Sequence, residues 1–403
     1  MSWKALCVAL GSAVMTTAAT AGGISDGVIK IGILSDMSGV YADQNGPGTV
    51  VGAKMAIEEF GGKIDGFPIE IVTADHQNKP DVGSSIARAW YDKDGVDVII
   101  GIPTSSVALA VQSVSRERKK PVIVAGAGSD RLTNEECSPY GMHWAWDLYA
   151  FASGTARAVG QTNPGSWFFI SADYTFGHSL EATTTKILKE EGRTVVGSVR
   201  HPLNTQDFGS FLLQAQASKA AIISLANAGQ DTINAIKQAN DFGIIAGGQQ
   251  MVPLFFDISD VPALGLKAAQ GIISTTGFYW DRTPTTREWS ARFQKIHGRL
   301  PAMNHASVYS ATRQYLLAVK NTKTDDPDTV LKWIRENKIN DVLAENGYVR
   351  ADGRMVQNMY LTQVKSPEES KYEGDFFKIL RTIPGEDAFR PLAQTACPYL
   401  MKK

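Results

Sequence analysis

Three short stretches of the chain place small, hydrogen-bonding residues directly after an apolar run. They are Ser35-Asp-Met-Ser38-Gly39-Val40-Tyr41, Gly101-Ile-Pro103-Thr104-Ser105-Ser106 and Gly126-Ala127-Gly128-Ser129. Hydroxyls and free backbone N–H groups at a helix start can hold a carboxylate without any lysine or arginine. The plainer reading is that Thr104 or Ser105 caps its own helix; the two are compatible, because a caught anion completes the cap. The second ingredient is aromatic: Trp144, Trp146 and Tyr149, then Tyr174 and Phe176, then Phe255 and Phe256, then Phe278, Tyr279 and Trp280. Core packing accounts for any one of them, but their clustering after apolar runs and at changes of rhythm suggests a shared apolar pocket. Together the two ingredients suit a small carboxylic acid with an apolar body.

Catalytic chemistry is poorly supplied. The six histidines, at 76, 143, 178, 201, 297 and 305, form no H-E-x-x-H or other close pair, so no metal site is expected. There is no G-x-S-x-G elbow and no G-K-[ST]. Gly46-Pro47-Gly48 runs on to Gly52 and misses the dinucleotide pattern G-x-G-x-x-G by one position. These glycines read as a loop that lets the backbone approach a ligand at a helix start. Scattered acids such as Asp173 and Asp257 could form a general acid–base pair, but nothing in their spacing singles them out. A binding protein without a cofactor is expected, with a ligand sensor and an exported enzyme as the alternatives from other classes.

The elements that position these residues follow from periodicity. Strand-like runs at 28–34, 67–73, 96–100 and 121–125 alternate with helical patterns at 49–60, 82–91 and 105–118. The rhythm restarts with helix 148–159, strand 166–171, helix 179–191, strand 194–199, helix 208–216, strand 220–225, helix 231–241 and strands 251–255 and 271–276. Such alternation predicts α/β architecture: two mostly parallel sheets with helices on both faces and right-handed crossovers. Helical patterns at 286–297, 305–321 and 329–337 precede two strand-like runs, 357–364 and 373–381, with no helix between them. A chain that changes style this late crosses between lobes more than once. In open sheets of this kind ligands sit beyond the carboxyl ends of the strands.

The 403 residues include 40 Lys+Arg against 41 Asp+Glu, a formal net charge of −1 that offers nothing to a nucleic-acid backbone or an anionic membrane surface. Residues 1–21 carry one cation, Lys4, then an apolar run, then Ala19-Thr20-Ala21, the pattern of a secretory signal peptide cleaved near Ala21. No later segment is apolar enough for direct membrane insertion. Cys7 leaves with the signal, and Cys137 with Cys397 remain as an even pair in an oxidising compartment. A disulfide between them is predicted, tying the tail 390–403 back onto an early part of the fold; two buried free thiols are the alternative.

The sequence resembles the type I periplasmic substrate-binding proteins of ABC importers, in the leucine/isoleucine/valine-binding branch. The resemblance covers essentially the whole mature chain. It rests on Ile31-Gly-Ile-Leu-Ser-Asp-Met-Ser-Gly39 with Tyr41, Gly52-Ala-Lys-Met-Ala-Ile-Glu-Glu59, Val98-Ile-Ile-Gly-Ile-Pro-Thr-Ser-Ser106, Pro121-Val-Ile-Val-Ala-Gly-Ala-Gly128 and Asp173-Tyr-Thr-Phe-Gly177. It implies a periplasmic monomer of two lobes joined by three interlobe crossings, closing by hinge motion over a ligand and delivering it to a membrane permease with its ATPase. The expected lobes are 22–146 plus about 280–350, and 147–279 plus about 351–389. Thr104, Ser105 and Ser106 match the carboxylate loop, Gly126, Ala127 and Gly128 the next loop, and Tyr41 the first. Trp146, Tyr174, Phe176 and Asn227 are expected to line the site. Where amino-acid binders place an acid for the ligand ammonium, this chain has Pro253-Leu-Phe-Phe256, an apolar wall, with Asp257 close by. Gly128 also stands where such binders carry a hydroxyl. The sequence resembles more closely the aromatic-acid-binding members, which favours an aromatic carboxylate over a branched-chain amino acid; Asp257 or Asp173 would pair the ammonium in the second case.

Overall fold

The computed structural model describes residues 23–401, so the expected signal segment lies outside the described residues. The first sheet is built from β1 (Ile29–Ser35), β2 (Lys63–Ile64), β3 (Phe67–Asp75), β4 (Val98–Gly101), β5 (Val122–Val124) and β6 (Gly141–His143). Its order is β2-β3-β1-β4-β5-β6, parallel throughout except for the β2–β3 hairpin. β1, β4 and β5 are apolar and buried on both faces, as strands covered by helices on two sides are. Two of these strands, β2 and β6, are too short to show any periodicity and escape the sequence pattern.

The second sheet contains β7 (Trp167–Ala172), β8 (Val195–His201), β9 (Ile222–Ala226) and β10 (Gln250–Pro253), ordered β10-β9-β7-β8 and all parallel. β11 (Ile273–Thr276) departs from the sequence expectation. It pairs antiparallel with β14 (Met359–Val364), which pairs antiparallel with β15 (Phe377–Ile383), in a separate three-stranded sheet. No helix separates β14 from β15, so antiparallel pairing is the connection available to them. Between β11 and β14 in the chain lie three helices, Pro284–His297, Met303–Thr322 and Pro327–Glu336, and the small hairpin β12 (Tyr348–Val349) with β13 (Met355–Val356). No helix among the described residues is long and apolar enough to cross a membrane.

The glycines at 48 and 52 serve packing, which corrects their reading as a ligand-approach loop. Both lie within the helix Gly46–Glu58. A Cβ at Gly48 would come within 2.4 Å of the His305 ring, and one at Gly52 within 2.6 Å of the His305 carbonyl oxygen. Their bare backbone lets this helix lie against Met303–Thr322 at close range.

The chain passes between the two lobes three times, and the passages are stitched to one another. The N–H of His143 donates to the Gly353 carbonyl at 2.9 Å, and Gln357 Nε2 donates to the Ala145 carbonyl at 3.1 Å. Arg354, with no exposed surface, donates to the Trp146 carbonyl at 2.8 Å and packs its guanidinium over the Phe389 ring. A fourth link is covalent. The tail leaves β15 and ends in the disulfide Cys137–Cys397, which spans 260 residues of sequence. Arg390 reaches Asp130 on the way, at 3.0 Å. Cross-linking so long a loop removes much of the unfolded chain's freedom. The double substitution Cys137→Ala with Cys397→Ala is expected to lower unfolding stability by about 2–5 kcal/mol, read from urea denaturation; an unchanged midpoint would mean the tail holds without its bridge.

Candidate functional site

In the first sheet the chain turns back at β1 and β4, and in the second at β7 and β9, because β3 and β8 lie on the far sides of β1 and β7. Such switch points open a crevice at the carboxyl ends of the strands. The two crevices face each other. Tyr41, after β1, and Tyr174, after β7, touch hydroxyl to hydroxyl at 2.5 Å. The N–H of Gln230, after β9, lies 3.5 Å from the Val40 carbonyl.

The loop after β4 opens the helix Ser105–Arg118 and carries three hydroxyls. Ile102 adopts φ of +59° while fully buried, and its N–H donates to the Leu34 carbonyl at 2.7 Å. A β-branched residue in the left-handed region is strained and persists only where its surroundings impose it. Thr104 is the N-cap of the helix Ser105–Arg118 but makes no capping bond; its hydroxyl donates to Asn78 Oδ1 instead. The side-chain oxygen of Ser105 is buried without a partner. Ser106 is half-buried beside it. This first turn thus combines helix N–H groups with a hydroxyl still free to donate, a ready place for a carboxylate.

The aromatic side chains gather in one place. The Trp146 ring lies 4.8 Å from that of Phe151 and 5.2 Å from that of Phe255, and Phe151 lies 5.0 Å from Phe255. Phe176 sits 6.4 Å from Phe255 and stacks on Tyr174 at 6.1 Å. Trp146 is aimed by a relay: its indole N–H donates to Asn304 Oδ1 at 2.8 Å, Asn304 Nδ2 to Asn45 Oδ1 at 2.9 Å, and Asn45 Nδ2 to the Tyr41 carbonyl at 3.1 Å. Gly128 makes room for this ring, since a Cβ there would come within 2.5 Å of Trp146 Cζ3. Gly126 and Ala127 are buried, Ala127 accepting from His143 at 2.6 Å.

Phe151, one turn along the helix that Trp146 leads into, belongs to this group and was missed; its distance from any strand end hid it. Phe256 is placed elsewhere, in the core around Phe168, Ile170 and Tyr279. Phe255 lies in the bend after β10 beside Trp146 and Phe151, while Phe256 packs into the other core, so the two do not line one wall. Asn227 is buried in a polar group of its own, donating to His201 Nε2 at 3.0 Å and accepting from Thr232 at 2.7 Å. Burial lowers the pKa of His201 and favours the neutral ring this arrangement needs.

Both acids offered as ammonium partners are engaged. Asp173 is largely exposed and bonds to His178 at 2.7 Å. Asp257 is buried and accepts from the N–H groups of Ile258 and, at 3.1 Å, Met303. Next to it Asp260 accepts from Gln44 Nε2 at 2.9 Å, a bond between the lobes. Burial raises Asp257 to about 6 and Asp260 to about 7, with hydrogen bonds opposing.

This arrangement defines a class: a two-lobed protein that holds a small solute in the seam between two facing α/β crevices. Comparison with known proteins agrees. The chain matches the Periplasmic binding protein family over residues 28–371. It is 47% identical to a periplasmic binding protein from Burkholderia mallei, with a TM-score of 0.90 over 92% of this chain and 98% of that one. It is 37% identical to a branched chain amino acid ABC transporter periplasmic ligand-binding protein from Burkholderia xenovorans LB400, with a TM-score of 0.82 over 92% and 99%. A solute binding protein of an ABC transporter from Rhodopseudomonas palustris HaA2, in complex with p-hydroxybenzoic acid, is 26% identical, with a TM-score of 0.80 over 90% and 98%. The chain belongs to the periplasmic binding protein family, as a solute-binding protein of ABC transport.

Two expectations follow. Gly128→Ser drives an added side chain into Trp146 and is expected to cost about 1–3 kcal/mol of stability, read by urea denaturation. For Asp260, a raised pKa means the folded chain holds a proton that the unfolded chain, titrating near about 4, has already lost. Its contribution to stability therefore falls as pH rises from about 4 through about 7. Asp260→Asn should gain on the wild type across that window in thermal unfolding; a constant difference would show that Asp260 does not titrate there.

Proposed function

We propose that this chain is the periplasmic receptor of an ABC importer for a small aromatic carboxylate. The observation that carries the reading is the pairing of an uncapped helix N-terminus, with Ser105 unpartnered, and a wall made of Trp146, Phe151, Phe176 and Phe255. A carboxylate fits the first and an aromatic body the second, and the buried Asp257 has both oxygens bonded to backbone N–H groups. The R. palustris relative with p-hydroxybenzoic acid bound supports the same choice. In this reading the protein is an exported monomer with the signal peptide removed, catalyses nothing, and hands its ligand to a permease with its ATPase. The lobe boundaries near 146 and 350 are supported by the bonds that join those two passages; the boundary near 280 belongs to the same reading. A branched-chain amino acid is the second reading, favoured by the description of the B. xenovorans relative.

Thermal unfolding of the purified protein against benzoate, p-hydroxybenzoate, leucine and valine separates the two. A ligand at about 100 times its Kd adds about 2.7 kcal/mol, enough for a shift of a few degrees. Shifts with the aromatic acids alone are expected. A shift with leucine or valine alone would overturn the aromatic reading and return Asp257 to the role of ammonium partner.

A further inference from the structure

We infer that Asn78 is a positioning residue that decides which groups of the Thr104–Ser106 loop meet the bound carboxylate. The inference rests on the proposed reading of that loop as the anion-holding one. Asn78 stands in the turn between β3 and the helix Pro80–Asp92, in the left-handed region with φ of +58°. Asp36, fully buried after β1, accepts from the N–H groups of Gly39 at 2.8 Å and Tyr41 at 3.0 Å. Its third donor is Asn78 Nδ2, at 2.8 Å. The amide nitrogen of Asn78 thus faces Asp36, and its carbonyl oxygen faces Thr104.

That orientation settles the Thr104 hydroxyl. It bonds to Asn78 Oδ1, an atom that can only accept, so Thr104 donates its single proton there. It has none left for a carboxylate in the cleft and would present only lone pairs. Ser105 is in the opposite condition, with a buried oxygen that has no partner and a proton free to give. Asn78 therefore withdraws Thr104 from the donors and leaves the anion to Ser105, Ser106 and the N–H groups of the first turn. It also ties the ends of β1, β3 and β4 into one unit, because Asp36, Asn78 and Thr104 follow those three strands in turn.

The test is a double-mutant cycle on the full mature protein, with benzoate affinity measured by calorimetry. Ser105→Ala is expected to weaken binding about tenfold or more, the scale of a lost bond to a charged group. Asn78→Ala and Thr104→Val both release the loop after β4 from the turn after β3, so that Ser105 and the first-turn N–H groups lose their fixed place; each should cost about three- to tenfold, and together no more than either alone, since both break the same bond. Thr104→Ser, which keeps the hydroxyl, should restore wild-type affinity, as a merely bulky role for Thr104 would not. Additive losses, or Asn78→Ala binding within twofold of wild type, would overturn the inference. Should Asn78→Ala fail to fold, Ser105→Ala against Thr104→Val decides, and a larger loss from Thr104→Val overturns it. If the wild type binds leucine and not benzoate, the aromatic reading fails separately, and the cycle run with leucine, which has the same carboxylate, still decides the role of Asn78.

Discussion

The first turn of the helix Ser105–Arg118 presents backbone N–H groups that its own N-cap residue does not serve, because Thr104 turns its hydroxyl to Asn78. Leaving such donors buried and unpaired costs about 1–3 kcal/mol each, and in the proposed reading the ligand carboxylate is what completes the turn. The rest of the site is arranged to keep it open. Ile102 holds a strained left-handed backbone at the end of β4, and Asp36 gathers three donors to fix the neighbouring loops. Binding without a cation has a physical advantage in a site that opens and closes. Helix N–H groups are preorganised and need no counter-ion when the site is empty, whereas a buried arginine would have to be paired or desolvated alone.

Closure depends on bonds made between lobes. Tyr41 meets Tyr174, and Gln44 meets Asp260; Asp257 accepts from the first N–H of the helix Met303–Thr322. Each of these bonds joins groups of opposite lobes across the seam. The hinge side is built differently. Arg354, Gln357 and the covalent Cys137–Cys397 tie hold the passages together permanently. One edge of the seam is therefore held by single hydrogen bonds, and the other by a buried arginine, an amide and a covalent tie.

Selectivity follows from which polar groups are already taken. Trp146, Phe151, Phe176 and Phe255 offer edges and faces to a flat apolar body, and the Asn304–Asn45 relay fixes the indole among them. The Trp146 ring fills the space above Gly128, where a hydroxyl-bearing residue would not fit. Asp257 and Asp260 are held by structural bonds. What remains is one anion-holding end and one aromatic end.

Much of this was readable from the sequence because it depends on local period. Continuous apolar runs ending in Ser, Thr and Gly marked β1, β4 and β5 and the loops after them, and helix-spaced patterns marked their crossovers. The signal pattern, the even cysteine pair and the order of the motifs needed no third dimension either. Tertiary structure decided whatever depends on a partner distant in sequence. The strand at 273–276 has the right residues for either sheet, and only β14 made it antiparallel. Gly48 and Gly52 look like a ligand loop until His305 lies against them. Phe255 and Phe256 are equivalent as letters, yet the bend after β10 puts one beside Trp146 and the other in a separate core. The donor state of Thr104 was decided most remotely of all, by Asn78 and Asp36 from two other strand ends. Periodicity is a property of neighbours along the chain, whereas a hydroxyl's single proton goes to whichever acceptor the fold brings beside it.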